Sequence, residues 1–430
     1  MLTFGVFAVL LLLMMLGVPI AVAMGLTSVL TLIALGESDM LSIMAQRVYS
    51  STTAFPLLAI PFFILTGNLM NTGGMTQRIF DFAHSLVGHW KGGLGQVNVF
   101  GSMVFAGMSG SALADAMGLG NIEVKAMVKA GYSAEFSAAV SAASATIGPV
   151  IPPSIPLVIF GSMTGASVGA LFLGGVVPGV LMGVAMMITV HIIALRRGYP
   201  SEPRASFAEM KAKLANGLAA LATPGLIMGG ILFGVFTPTE ASVVACLYAL
   251  FLGMAIYREI KWSDLQHILW DSALQTIQVM FIVAMAGLFG WVLIYLRVPD
   301  AMIAILTALS KSPWMALVLI NVVLLVLGCF MEGIAIMLLT IPIFAPILPK
   351  LGIDAVHFGV VMTLNLMIGL ITPPVGMVLY AMSSVARVSI VDLARELIPF
   401  IASIFVVLVL ITFVPGFVTW LPNLIMGGGR

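Results

Sequence analysis

Ile147-Gly148-Pro149-Val150-Ile151-Pro152-Pro153-Ser154-Ile155-Pro156 and Ile368-Gly369-Leu370-Ile371-Thr372-Pro373-Pro374-Val375-Gly376 share one frame, in which an apolar run reaches a glycine and then paired prolines. Tandem prolines cannot continue an α-helix, because each lacks an N–H and its ring clashes with the preceding turn. Apolar sequence resumes after each pair, so the spacing predicts two interrupted helices, over about 133–165 and 356–386.

The likeness extends outward from these sites. The offset of 221 that superposes Pro152-Pro153 on Pro373-Pro374 also brings Pro178 onto Pro399. Ahead of a two-residue deletion, an offset of 223 matches Gly67 to Gly290, Asn98 to Asn321, Met108 to Met331 and Gly110 to Gly333. A repeat of this kind means related structural units. They run over 1–198 and 217–426, with a polar linker at 199–216 next to Arg196 and Arg197.

Composition names the solvent. Of 430 residues, 61% are hydrophobic and 8% charged, where a soluble domain carries about a quarter charged. A water-soluble fold is excluded. The 18 basic and 17 acidic side chains leave a net charge of +1, which gives no basic footprint for nucleic acid. Cys246 and Cys329 lie far apart in apolar runs and are read as small core residues. No Lys or Arg precedes Arg47, so the opening stretch lacks a leader's basic region and is expected to be permanent membrane structure. Ala21-Val22-Ala23 is then a chance match to a cleavage site.

A bilayer span needs about 20 apolar residues. Full-length candidates lie near 54–71, 169–195, 217–235, 239–256, 272–296 and 397–420, and the first run, 2–35, is broken at Gly17 and Pro19. With the basic linker in the cytoplasm, the second unit enters the membrane from the face opposite to the first, an inverted repeat. Thirteen of the 18 Lys and Arg then fall inside, and only Arg47, Arg297, Lys311, Lys350 and Arg430 outside, in keeping with the positive-inside rule.

Two further runs read as re-entrant hairpins. Residues 94–130 begin after Lys91 and close at Lys125 and Lys129, with Ser109-Gly110-Ser111 central. Their counterpart, 313–350, lies between Lys311 and Lys350 with Glu332-Gly333 central. Non-helical backbone at membrane depth survives only when buried in protein or lining a cavity. The expected fold is therefore an all-α polytopic membrane protein of inverted repeats, each with a re-entrant hairpin and a Pro-Pro-broken helix. The short amphipathic segments 76–91 and 299–310 are expected as interfacial arms.

Such repeats form secondary transporters, whose substrate and ions bind at the breaks. Unwound carbonyls suit a hard cation, and half-helix N-termini suit an anion. Ser109, Ser111, Ser144, Thr146, Ser154, Asn365 and Thr372 surround the breaks with uncharged oxygens, which suit sodium unless each merely bonds its own helix backbone. Ionisable groups within a membrane are costly. Asp115 and Glu332 lie in the hairpins, as proton or cation sites or as acceptors for backbone N–H groups at the tips. Thr237, Pro238 and Glu240 read as a helix-capping box. The five histidines have no metal-ligand spacing and are expected at the interface, and no His-Glu-x-x-His pair or nucleophile elbow points to an enzyme. A channel fits less well than a carrier, since buried double breaks favour occlusion.

These runs, with Phe236-Thr237-Pro238-Thr239-Glu240-Ala241 and Ser109-Gly110-Ser111-Ala112-Leu113-Ala114-Asp115, resemble the DctM-type large membrane subunit of TRAP transporters, of the ion transporter superfamily. The likeness covers essentially the whole chain. It implies a sodium-driven importer of organic acids in the bacterial inner membrane, working with a periplasmic substrate-binding protein and a small four-helix membrane subunit. No further domain precedes Met1, so a separate small subunit is expected. It also implies an elevator, with a scaffold and a transport domain that holds both hairpins and both broken helices. One Na+ would lie between Ser109 and the break at Gly148, Ile151 and Pro153, and a second between Gly328 and the break at Gly369, Thr372 and Val375. Ser111, Ser154 and Asn365 are assigned to the substrate, with sialic acid, a C4-dicarboxylate and a keto acid all open. No Lys or Arg is expected at the midplane, so bound sodium would complete the anion site. A proton-coupled organic anion transporter of similar fold, working without a binding protein and using Asp115 or Glu332, is the rival.

Overall fold

The computed structural model describes residues 2–309 and 312–427, with side chains described for all of these except residues 2–4, 38, 41, 107–109 and 305–309. Lys311 and Arg430, and the side chain of Ser109, therefore lie outside the described residues. Among the described residues there is no strand. The first half runs α1 (Leu2–Met15), α2 (Ile20–Ala34), α3 (Leu41–Thr52), α4 (Ala59–Thr72), α5 (Met75–Val87), α6 (Gly93–Ser109), α7 (Ala112–Lys129), α8 (Ala134–Ala145), α9 (Ile155–Thr164) and α10 (Val168–Arg197). The second runs α11 (Phe207–Leu232), α12 (Pro238–Phe251), α13 (Trp262–Tyr295), α14 (Val298–Leu309), α15 (Pro313–Gly328), α16 (Gly333–Phe344), α17 (Ala355–Leu370), α18 (Met377–Ala386), α19 (Ile390–Phe413) and α20 (Gly416–Met426).

Among the described residues six helices are long and apolar enough to cross a membrane: Phe55–Thr72, Val168–Arg197, Phe207–Leu232, Pro238–Ile256, Trp262–Tyr295 and Ile390–Phe413. Each coincides with an expected span, with shifted ends. The third starts at Phe207 because Ser206 and Glu209 form a capping box ahead of the apolar run. The fifth starts at Trp262, where the Asp264 carboxylate accepts from the Lys261 N–H at 2.9 Å. The box at Thr237 forms as expected, with Glu240 Oε2 accepting from the Thr237 N–H at 2.8 Å. The opening run breaks where Gly17 takes φ +81°.

Helix for helix, α5 and α14 begin 223 residues apart, and α8 and α17 begin 221 apart. One pair differs. Pro56 in the turn between α3 and α4 corresponds to Val279, and the second half carries one continuous 34-residue helix, α13, in that place. A proline inside a helix removes a hydrogen bond and clashes with the preceding turn; valine does neither.

The halves pack on each other reciprocally: α7 lies against α18 as α16 lies against α9, and α8 against α19 as α17 against α10. At the centre, α8 is buried from Phe136 to Ala145 and α17 from His357 to Leu370. The Ala/Ser sequence of α8 allows the close approach that membrane helices use. His357 departs from the interfacial expectation. It is 2% exposed, with Nε2 2.8 Å from the Ile411 carbonyl oxygen, because α17 is enclosed on all sides.

Candidate functional site

Each broken helix loses its ladder where the prolines withhold donors. Pro152 and Pro153 have no N–H for the carbonyls of Gly148 and Pro149 one turn back, and the Ser154 hydroxyl donates to the Pro149 carbonyl instead. Ser154 also caps α9, accepting from the Leu157 N–H at 3.2 Å. In the second half the Thr372 N–H donates to the Gly369 carbonyl at 3.1 Å, and the Thr372 hydroxyl to that of Ile368 at 2.6 Å. No side chain caps α18, which starts from Gly376 at φ +49°.

The hairpin tips meet these breaks. Gly110 ends α6 at φ +63°, and a Cβ placed there would lie 2.9 Å from the Pro153 carbonyl oxygen. A Cβ on Gly148 would strike the carboxylate of Asp115, which is 3% exposed. Ser111 caps α7, accepting from the Ala114 N–H at 3.4 Å. In the second half the backbones themselves touch, for a Cβ on Gly369 would sit 2.5 Å from Gly328 Cα. The Val375 N–H donates to the Cys329 carbonyl at 3.0 Å, tying tip to break. Glu332 caps α16, accepting from the Ala335 N–H at 2.9 Å. Gly148 and Pro153 are thus brought to the first tip, and Gly369 and Val375 to Gly328 and its neighbour Cys329 at the second.

The two breaks differ in access. Pro152, Pro153 and Ser154 are buried, whereas Pro373, Pro374 and Val375 are exposed, Val375 by 38%. The cause is the helix that follows. On α10, Gly175, Gly179 and Gly183 lie so close to Val150, Ile151 and Met103 that a Cβ on any of them would collide. The corresponding residues on α19 are Glu396, Phe400 and Ile404, which cannot approach the second break so closely.

Asn365 and Ser144 sit one helical turn below the breaks. Asn365 Nδ2 donates to Asn321 Oδ1 at 2.7 Å and to the Asn321 carbonyl at 3.0 Å, and its Oδ1 has no partner among the described residues. Ser144 donates to Asn98 Oδ1 at 2.7 Å. Thr146 donates to the Ala143 carbonyl at 2.6 Å, within its own turn. Sequence reasoning missed Glu123. It lies two turns along α7 from Asp115, 1% exposed, and accepts from the Ser141 hydroxyl at 3.3 Å; its spacing of eight residues from Asp115 was the available signal. Among the described residues no group of three His, Cys, Asp or Glu side chains gathers to hold a metal. The oxygens around the breaks are hydroxyls, amides and carbonyls, with the Asp115 carboxylate beside Gly148, a donor set that fits a hard cation rather than a transition metal.

Paired hairpins closing on paired broken helices define a membrane transport protein of the carrier type. The profile of the family described as Tripartite ATP-independent periplasmic transporter, DctM component, matches residues 7–417, and the chain belongs to that family. It is 43% identical over 414 residues to the sialic acid TRAP transporter large permease protein SiaM of Vibrio cholerae, covering 96% of this chain and 97% of SiaM. It is 41% identical over 401 residues to the C4-dicarboxylate TRAP transporter large permease protein DctM of Pseudomonas aeruginosa, covering 93% of this chain and 94% of that protein. Among solved structures, the Alcanivorax borkumensis YdaH transporter shares the fold, with a TM-score of 0.65 at 15% identity over 89% of this chain and 90% of YdaH. The chain is a large permease subunit of a transporter and not an enzyme.

Proposed function

We propose that this permease imports a small organic acid, of the sialic acid, C4-dicarboxylate or keto acid class, by sodium symport. The meeting of each hairpin tip with its broken helix supports this reading most strongly, because it gathers backbone carbonyls and hydroxyls at the two breaks, with the Asp115 carboxylate beside the first. One Na+ would be held by Ser109, Gly148, Ile151 and Pro153, the other by Gly328, Gly369, Thr372 and Val375. The Thr372 hydroxyl gives its proton to Ile368, which leaves its lone pairs for a cation. Bound sodium would then supply the positive charge that a carboxylate needs, beside Ser111, Ser154 and the Asn365 Oδ1. Asp115 and Glu332 hold the hairpin ends.

The units 1–198 and 217–426 form inverted repeats joined by the cytoplasmic linker 199–216. Their hairpins and broken helices move together as an elevator, with α5 and α14 as arms. The family's description as tripartite and periplasmic, and the word large in the relatives' names, support an assembly with a small membrane subunit and a periplasmic substrate-binding protein, which we place in the bacterial inner membrane. Uptake of labelled acid into proteoliposomes holding all three components is expected to stop when sodium is removed. Uptake driven by a pH jump without sodium would overturn the proposal in favour of proton coupling. Thr372→Ala is expected to raise the half-saturating sodium concentration by about tenfold at unchanged expression.

A further inference from the structure

Asn98 on α6 and Asn321 on α15 superpose at the 223-residue offset, and Ser144 on α8 and Asn365 on α17 superpose at 221. Each asparagine makes the same pair of bonds. Its side-chain carbonyl accepts from the broken helix, from Ser144 Oγ at 2.7 Å in one half and from Asn365 Nδ2 at 2.7 Å in the other. Its amide donates to a hydroxyl, to Ser141 Oγ at 2.6 Å or to Thr412 Oγ1 at 3.2 Å. That hydroxyl donates onward in turn, to Glu123 Oε2 at 3.3 Å or to the Leu408 carbonyl at 2.7 Å. Asn98, Ser144 and Asn365 are 0% exposed and Asn321 9%, where weak solvent competition strengthens a hydrogen bond.

Both bonds cross from the first helix of a hairpin to the first half of a broken helix. Ser144 precedes Gly148, and Asn365 precedes Gly369, by four residues, about 6 Å along the axis. The two halves differ in nearly every other side chain here, and in which groups hold the asparagine, yet the bond itself is kept. We infer that these are paired braces: Asn98 with Ser144, and Asn321 with Asn365, fix each hairpin tip at its distance from its break and so set the spacing of the cation's oxygens. Asn98, Ser144 and Asn321 are positioning residues that act through the tip. Asn365 gives its amide to the brace and keeps Oδ1 for a ligand. The inference rests on the sodium-site reading above.

The repeat supplies its own rescue experiment. Ser144→Ala removes the first brace, while Ser144→Asn installs the side chain that serves in the second half. Asn365→Ala and Asn365→Ser make the same comparison in the second half, where both changes only remove volume. Sodium activation of uptake by the reconstituted three-component transporter is measured for all four variants, together with hydrogen exchange of the tips and breaks. Both alanine variants are expected to raise the sodium half-saturation about tenfold; Ser144→Ala does so with little change in substrate affinity at saturating sodium, whereas Asn365→Ala also loses the Oδ1 kept for a ligand and weakens substrate binding. Ser144→Asn and Asn365→Ser are expected to return towards wild type. Exchange at 106–116 is expected to rise in Ser144→Ala, and at 326–334 in Asn365→Ala, but not in the rescue variants. In Ser144→Ala a merely structural loss would lower expression and rate without separating sodium from substrate, and that result overturns the inference, as do rescue variants that match alanine in both halves. If wild-type uptake ignores sodium, the coupling proposal falls, and the braces then stand or fall on the exchange pattern alone.

Discussion

At the residue scale the closest constraint is the contact of Gly328 with Gly369. A Cβ on Gly369 would lie 2.5 Å from Gly328 Cα and 2.6 Å from its carbonyl carbon, and backbone on both sides of a packed interface cannot yield as a flexible side chain does. Gly369→Ala is therefore expected to part the second tip from its break and to raise the sodium half-saturation by about tenfold or more, measured by uptake at graded sodium. Gly229→Ala is the control. No other described residue lies within 4 Å of the added methyl on α11, outside that helix's own backbone, so uptake there is expected to match wild type.

At the element scale, the proline that splits α3 from α4 and the valine that leaves α13 whole define a testable difference. Val279→Pro is expected to lower stability by about 3 kcal/mol or more, seen as a lower melting temperature of the purified subunit. Both Pro-Pro breaks and all six spans could be read from sequence, because a missing N–H and a 20-residue apolar run are local facts. The length of α13 was not legible, since the polar turn from Trp262 to Asp271 falls outside any apolar window. The braces were hidden for another reason. Asn98 and Ser144 are 46 residues apart, and Asn321 and Asn365 are 44 apart, and no periodicity links them until the fold does. The burial of His357 has the same origin, for nothing in its neighbours says that α17 is enclosed.

At the scale of the whole molecule, two related halves present unlike faces: a first break sealed beneath the glycines of α10 and a second left open. In a background with Cys246 and Cys329 replaced by alanine, Val375→Cys is expected to react with a maleimide, while Val150→Cys, at 0% exposure, stays unlabelled. Equal labelling of the two would contradict the asymmetry. The length of α13 has a mechanical consequence. Its 34 residues rise about 51 Å at 1.5 Å each, against a hydrocarbon layer about 30 Å thick. At an ordinary tilt of about 20° roughly 18 Å of it lies beyond the hydrocarbon layer. Its first turns carry Asp264, His267 and Asp271, so the stem leaves the hydrocarbon layer at the end nearest them, a rigid post that carries these charges to the level of the headgroups.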